Sequence, residues 1–309
     1  EDLNDDQRVA VAEFRRHYTN LTCLPSDFVE RQTGQRLRCE QLWRDLRAKN
    51  DWDNFRPALQ AVVATVREEA ALRADALGLD PYDALMEQYD PGNRAADIAP
   101  VFDRLKAFLK DFVPKALDVQ ARRDGRRPRK PLAGAYPVDR QRALGLAMME
   151  AVGFDFTHGS LSVSHHPFCG GVPSDVRITT RYKTDDFLSA LMGVLHETGH
   201  AMYEFGLPAA WRRQPVGEAR GMAMHESQSL LLEMQVCRSR EFVAFAAPVI
   251  GRELAGEGPA WTADNLYRLG IRVTRGFIRV DADEGTYPCH VILRYRLERA
   301  MIAGDLALE

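Results

Sequence analysis

The chain has 309 residues, 45% of them apolar and 28% charged, with a net charge of −3. That is enough for one large domain or two smaller ones with a sizeable core, and it excludes global disorder. The balanced charge gives no reason to expect nucleic acid or an anionic membrane as partner, and no apolar run approaches the roughly 18 residues needed to cross a bilayer. Five scattered cysteines (Cys23, Cys39, Cys169, Cys237, Cys289) form no C-x-x-C pair. They read as reduced thiols of a cytoplasmic protein and argue against a cysteine-based zinc site. The opening residues carry neither the basic nor the apolar region of a secretion signal. There is no initiator methionine, and the end, Ala303 to Glu309, reads as an interrupted helix. The chain is therefore expected to be a piece lacking both ends.

Residues 1 to about 120 predict helices throughout. One opens at Asp6 and repeats apolar residues at helical spacing to His17, which reads as a solvated position; another starts at Pro25 to Asp27. Phe55, Leu59, Val62, Val63 and Val66 mark an amphipathic helix over Trp52 to Leu77, broken at Asp80-Pro81. A turn at Asp90 to Asn93 precedes a further helix from Ile98 to Leu117. The basic run Arg122 to Lys130, built around glycine and proline, reads as a solvated loop, with a rim for acidic peptides as the alternative. After a helix over Asp139 to Val152 the period changes to two. Ser160 to His165 and Asp175 to Tyr182 both alternate, with Gly170, Gly171 and Pro173 between them, which predicts a small antiparallel pair. His158 and His165 read as ordinary loop or strand residues.

The next stretch organises the rest. Thr184, Asp185 and Asp186 start a helix, Gly206 and Pro208 stop it, and Phe187, Leu188, Leu191, Val194 and Leu195 form its buried stripe. Within it lies His196-Glu197-Thr198-Gly199-His200, an H-E-x-x-H pattern. Residues four apart on a helix lie about 40° apart around the axis, so both imidazoles reach one metal ion. Glu197 adjoins them and is placed to take a proton from activated water without being a ligand. A third protein ligand is needed. Glu226 is the first choice, on a long helix expected from about Glu218 to Phe242; His225, Glu218 and Glu233 are rivals. Glu233 lies two turns beyond Glu226 on the same face and suits a supporting role. His225 diverges by about 100° from Glu226 and is a candidate donor to substrate. A turn at Gly256 to Pro259 and a helix capped by Thr262 lead into Ile278 to Arg294.

These elements together resemble the carboxypeptidase Taq family of zinc metallocarboxypeptidases. His166-Pro-Phe168 matches its H-P-F, Asp175 to Thr179 its D-x-R-x-T, and His196 to His200 its zinc motif. His225 to Gln228 matches H-E-S-Q, and Ile278 to Asp283 matches I-R-x-x-A-D, all in order between residues 130 and 300. The resemblance implies a mainly α fold with a deep groove and a small antiparallel sheet beside the zinc helix. Residues 1–130 would form one wall of that groove and 131–309 the catalytic region. It implies a homodimer that removes single residues from peptides with a free C-terminal carboxylate, with broad tolerance and proline disfavoured. By the same carry-over His196, His200 and Glu226 bind zinc, for which cobalt or manganese substitutes, and Glu197 is the general base. Arg279 would hold the substrate carboxylate, while His166 and Asp175 to Thr179 shape the closed end of the groove. The family's G-x-x-Q-D element near its C terminus is absent here.

The residues themselves leave several roles open. Arg279 and Arg177 are both candidates for a two-pronged grip on a carboxylate, although Arg279 could instead pair with Asp283. Tyr287 and His290 are candidates to stabilise an oxyanion, with Tyr287 alternatively a packed ring. A zinc oligoendopeptidase, or an inactive zinc-binding fragment or scaffold, are the competing functions.

Overall fold

The computed structural model describes residues 3–164 and 167–309. They fall into two compact units. The described residues of Glu1–Ala107, Gln214–Val216 and Cys289–Glu309 form the first; those of Phe108–Arg213 and Gly217–Pro288 form the second. The fold is mainly helical with one small sheet, as the sequence predicts.

The first unit is built from α1 (Asp5–Thr22), α2 (Ser26–Ala48), α3 (Trp52–Leu77), the short α4 (Pro81–Met86) and the beginning of α5 (Ala95–Arg126). α1 starts with a capping box: the Asn4 side chain accepts from the Gln7 N–H, and the Gln7 side chain accepts from the Asn4 N–H. α3 begins where Asp51 accepts from the Asn54 N–H and ends at Gly78, whose φ of 66° suits a residue without a side chain. The buried residues of α3 are not the predicted apolar stripe. Thr65, Glu69, Ala70 and Arg73 are buried instead, and Phe55, Leu59, Val62, Val63 and Val66 are half-buried. The reason is a polar network that satisfies itself. Glu69 accepts from Arg73 Nε (2.9 Å), Gln32 Nε2 (2.5 Å) and Arg36 Nη2 (2.8 Å), while Arg73 also donates to the Asn20 carbonyl (3.1 Å). Donors from α2 and α3 thus converge on one carboxylate, and α1 joins through Arg73, which removes the penalty of burying it.

α5 continues to Arg126, so the first part of the basic run is helical rather than loop. Arg122 pairs with Asp118 one turn back, and Arg129 with Asp124, which offsets the like charges. The second unit continues with α6 (Val138–Ala151), strands β1 (Gly159–Val163), β2 (Phe168–Val172) and β3 (Asp175–Thr180), and α7 (Phe187–Phe205). Then come α8 (Met222–Leu230), a π-helical segment (Leu231–Val236), α9 (Arg240–Leu254) and α10 (Ala263–Gly270). The long helix expected from Glu218 to Phe242 is therefore three segments. The last element, α11 (Tyr287–Ala303), starts in the second unit and runs in the first; it ends at Ala303, before Gly304 at φ 87°.

The sheet corrects the predicted pairing. Its order is β1-β3-β2: β3 pairs antiparallel with β2 (Val172 opposite Asp175) and parallel with β1 (Gly159 opposite Val176). Pro173 and Ser174 close the tight β2–β3 turn, so β2 takes the hairpin position that the alternation of β1 suggested for itself. β2 carries Gly170 and Gly171, which hide its alternation. Gly171 has φ 113°, and a Cβ there would collide with the Asp175 carbonyl.

α7 lies between two cores. Leu191, Leu195 and Phe187 pack with Leu144, Met148, Ile250 and Leu266. On its other side Val194 and Ala201 pack with Leu161, Val176 and Ile178 of the sheet. Each fully buried leucine or valine there contributes about 1.5–3 kcal/mol. Among the described residues no helix is long and apolar enough to cross a membrane.

Candidate metal centre

α7 starts because the Asp186 carboxylate accepts from the Ser189 N–H (3.1 Å), and it stops at Gly206. With its apolar sides fixed in two cores, its phase is fixed too. His196 and His200 then share one side, their ring centroids 5.0 Å apart and their planes at 81°. His200 and Glu197 are each 8% exposed.

Gly199 brings the third group in. A Cβ at this position would stand 2.5 Å from Ser229 Cα and 2.7 Å from the Gln228 carbonyl oxygen, so α7 and α8 meet backbone to backbone. Glu226, one turn before this contact, is thereby delivered to the histidines. Its Oε2 lies 3.7 Å from His196 Nε2 and 3.4 Å from His200 Nε2. Among the described residues His196, His200 and Glu226 form a cluster whose ligand atoms all lie within 4.8 Å of one another. Glu218 and Glu233 are outside it. Gly199→Ala is expected to destabilise the protein by about 1–3 kcal/mol, the range for overpacking a tight contact, and to weaken metal binding. Urea unfolding and a metal titration check this; a variant unchanged in both would refute the close approach.

The cluster is acidic and half-buried. The hydrogen bond with His200, and the fields of both histidines and Arg279, hold the Glu226 carboxyl below the usual range despite burial. Burial disfavours the charged form of His196, but the hydrogen bond to Glu233 and the field of Glu226 outweigh it, so its pKa is raised. Burial pushes the Glu197 carboxyl up, against the pull of His196 and His200.

Behind the cluster each histidine has a second partner. His196 Nδ1 is 3.1 Å from Glu233 Oε2, and Arg238 Nη2 donates to the other oxygen of Glu233 at 2.7 Å. Glu233 sits inside the π-helical segment, where Cys237 N–H reaches back five residues to the Leu232 carbonyl. His200 Nδ1 lies 2.8 Å from His225 Nδ1, and His225 Nε2 lies 2.7 Å from Glu204 Oε1. Sequence reasoning missed Glu204 and Arg238. Glu204 had a signal: it follows His200 by four residues on the same helix face, as His200 follows His196. Arg238 follows Glu233 by five, a spacing that α periodicity does not flag.

A cavity of about 600 Å³ opens beside the cluster and is lined by His196, Glu197, Glu226, Arg279 and Tyr287. Arg279 Nη1 donates to the Tyr287 hydroxyl (3.0 Å), which is 3.5 Å from Glu226 Oε1. Asp283 does not pair with Arg279. It accepts from the N–H groups of Thr274, Gly285 and Thr286 and so shapes the loop before α11. Arg177 pairs with Asp175 (2.8 Å) on the exposed side of β3, and neither lines the cavity. His290 belongs to the first unit. His166 and His165 lie outside the described residues.

The sequence profile of the carboxypeptidase Taq (M32) metallopeptidase family matches residues 1–309. The chain belongs to that family. It is 36% identical to thermostable carboxypeptidase 1 of Thermus thermophilus, covering 100% of this chain and 61% of the relative. It is 30% identical to carboxypeptidase 1 of Bacillus subtilis, covering 100% of this chain and 61% of that one. Metallocarboxypeptidase 1 of Trypanosoma cruzi superposes with a TM-score of 0.89 at 40% identity, over 99% of this chain and 60% of that structure. The chain thus spans about three-fifths of the length of the M32 proteins it matches.

An M32 metallopeptidase implies a divalent metal, and the donor set fits one. Tetrahedral nitrogen and oxygen ligands at about 2.0–2.1 Å from a zinc ion stand roughly 3.4 Å apart. The Glu226 oxygen is 3.4 and 3.7 Å from the two histidine nitrogens.

Proposed function

We propose that this chain carries the chemistry of a zinc metallocarboxypeptidase that releases single C-terminal residues from peptides, with broad tolerance and proline disfavoured. The observation that carries the reading is the meeting of His196, His200 and Glu226 at a cavity that Glu197 and Arg279 also line. Two imidazoles and a carboxylate suit zinc, with cobalt or manganese as substitutes. We also propose that the protein is cytoplasmic, on its scattered cysteines, and that it acts as a homodimer with residues 1–130 as one wall of the groove and 131–309 as the catalytic region, on family resemblance.

A zinc ion held by His196, His200 and Glu226 would supply Lewis acidity, acidifying water and polarising a carbonyl. Glu197 takes the proton of the attacking water and hands it to the departing amine. Its burial beside the cluster keeps bulk water from competing for that proton. The Tyr287 hydroxyl accepts from Arg279 at 3.0 Å and donates to Glu226 Oε1 across a long 3.5 Å contact; with Glu226 turned to a metal, that proton would be redirected toward a developing oxyanion. Arg279 spends one donor on Tyr287, and its remaining N–H groups offer a fork to the peptide's terminal carboxylate. That grip would make the enzyme an exopeptidase.

The test is hydrolysis of an N-blocked dipeptide as the free acid and as the amide, with and without chelator. Chelator-sensitive cleavage of the free acid alone is the expected result. Cleavage of both would favour an oligoendopeptidase; cleavage of neither by the zinc-loaded chain would leave a metal-binding scaffold.

A further inference from the structure

We propose that His225 is a positioning residue for the metal site: a chain from Glu204 through His225 to His200 fixes the tautomer and ring orientation of His200. The proposal rests on the reading of His196, His200 and Glu226 as metal ligands.

Both ring nitrogens of His225 are engaged. Nε2 is 2.7 Å from Glu204 Oε1, and Nδ1 is 2.8 Å from His200 Nδ1. No nitrogen is left to ligate a metal or to greet a substrate, so the role expected for His225 from sequence does not fit its surroundings. The ring is also held by packing, edge-on to Tyr203 with centroids 5.0 Å apart at 88°.

The protons follow from what each atom is able to do. An ionised carboxylate only accepts, so His225 Nε2 donates to Glu204. In a neutral imidazole the other nitrogen is then an acceptor. His225 Nδ1 therefore accepts from His200 Nδ1–H, so that with a metal in place His200 Nε2 offers it a lone pair instead of a proton to Glu226. That is the nitrogen 3.4 Å from Glu226 Oε2, on the side of the ligand cluster. The opposite tautomer would put the proton on His200 Nε2 and block it as a ligand.

The two ligands are thus supported in different ways. His196 meets the Glu233 carboxylate directly, whereas His200 meets one through an intervening ring. The geometry has a simple source. His200 and Glu204 stand one turn apart on α7, and α8, brought close by Gly199, inserts His225 between them.

The experiment measures zinc affinity by competition with a chromogenic chelator, at one pH. His225→Phe is expected to bind zinc roughly 10–100-fold more weakly, the usual effect of losing an outer partner of a metal histidine. His225→Asn, whose side-chain oxygen takes the place of Nδ1 as acceptor, should recover most of that loss. Independently, ¹⁵N-histidine spectra of the zinc-loaded wild-type protein should show protons on His200 Nδ1 and His225 Nε2. Unchanged affinity in His225→Phe, equal losses in both variants, or a proton on His225 Nδ1 would each overturn the proposal. The spectra decide it even if a variant fails to fold. Failure of the wild-type chain to bind zinc at all would instead sink the metal-site reading, and this proposal with it.

Discussion

Glu197→Gln is expected to bind zinc as tightly as the parent and to release C-terminal residues about 10²–10⁴-fold more slowly, the span typical of a lost general base. The amide has the shape of the carboxylate but cannot take a proton from water. Glu197 is not part of the ligand cluster, so metal content should not change. Its surroundings sharpen the contrast, because an 8% exposed carboxylate leaves little room for solvent to substitute. Zinc content and turnover must be measured on the same preparation. Normal turnover would remove Glu197 from the mechanism; lost zinc would make it a ligand or a structural prop. Glu226→Ala is the complementary control, losing metal first and turnover as a result.

Glu69→Ala should cost the first unit about 3–5 kcal/mol, the range for breaking a buried pair by removing one partner. The cost arises from what remains. Arg73 is 6% exposed and would keep its charge with only the Asn20 oxygens and the Cys23 sulfur as acceptors. Gln32 and Arg36 would lose the same acceptor. Replacing both Glu69 and Arg73 by leucine should cost much less than the single change, because no orphaned charge is left. Urea unfolding of the three proteins tests this. A loss under about 1 kcal/mol for Glu69→Ala would mean that solvent reaches the network, as at surface pairs.

The contrast between Glu69 and His196 shows what a single sequence conveys. The H-E-x-x-H helix was legible because its signals are local: start residues, stop residues, an apolar stripe and two histidines four apart. Its position beside a small sheet was legible from the change of period. The Glu69 network was not, since Gln32 and Arg36 lie more than thirty residues away in α2 and the four-residue spacing of Glu69 and Arg73 looks the same in an exposed pair. The parallel pairing of β1 was hidden for a related reason. Alternation reveals a face but not a neighbour, and the glycines of β2 concealed the strand that takes the hairpin position. At the site, Glu226 was readable as an acidic residue on a returning helix. His225 was seen but given the wrong surroundings, because only the approach of α8 to Gly199 decides which atoms it meets.

The π-helical turn after α8 has a consequence for how the site tolerates change. Such a turn holds one residue more than the α turn it interrupts. Glu226 lies upstream of the wide turn and Glu233 within it, yet both address the same imidazole, one near each nitrogen. Removing a single residue between Leu231 and Val236 would restore regular winding and improve the backbone hydrogen bonding of the segment. The residues after it would keep their direction relative to Glu226, because the wide turn absorbs the extra residue, but Glu233 inside the segment would be re-aimed, away from His196 Nδ1 and Arg238. In this stretch the length of the chain matters as much as its composition: local regularity and a correctly aimed histidine are alternatives, and the protein has the second.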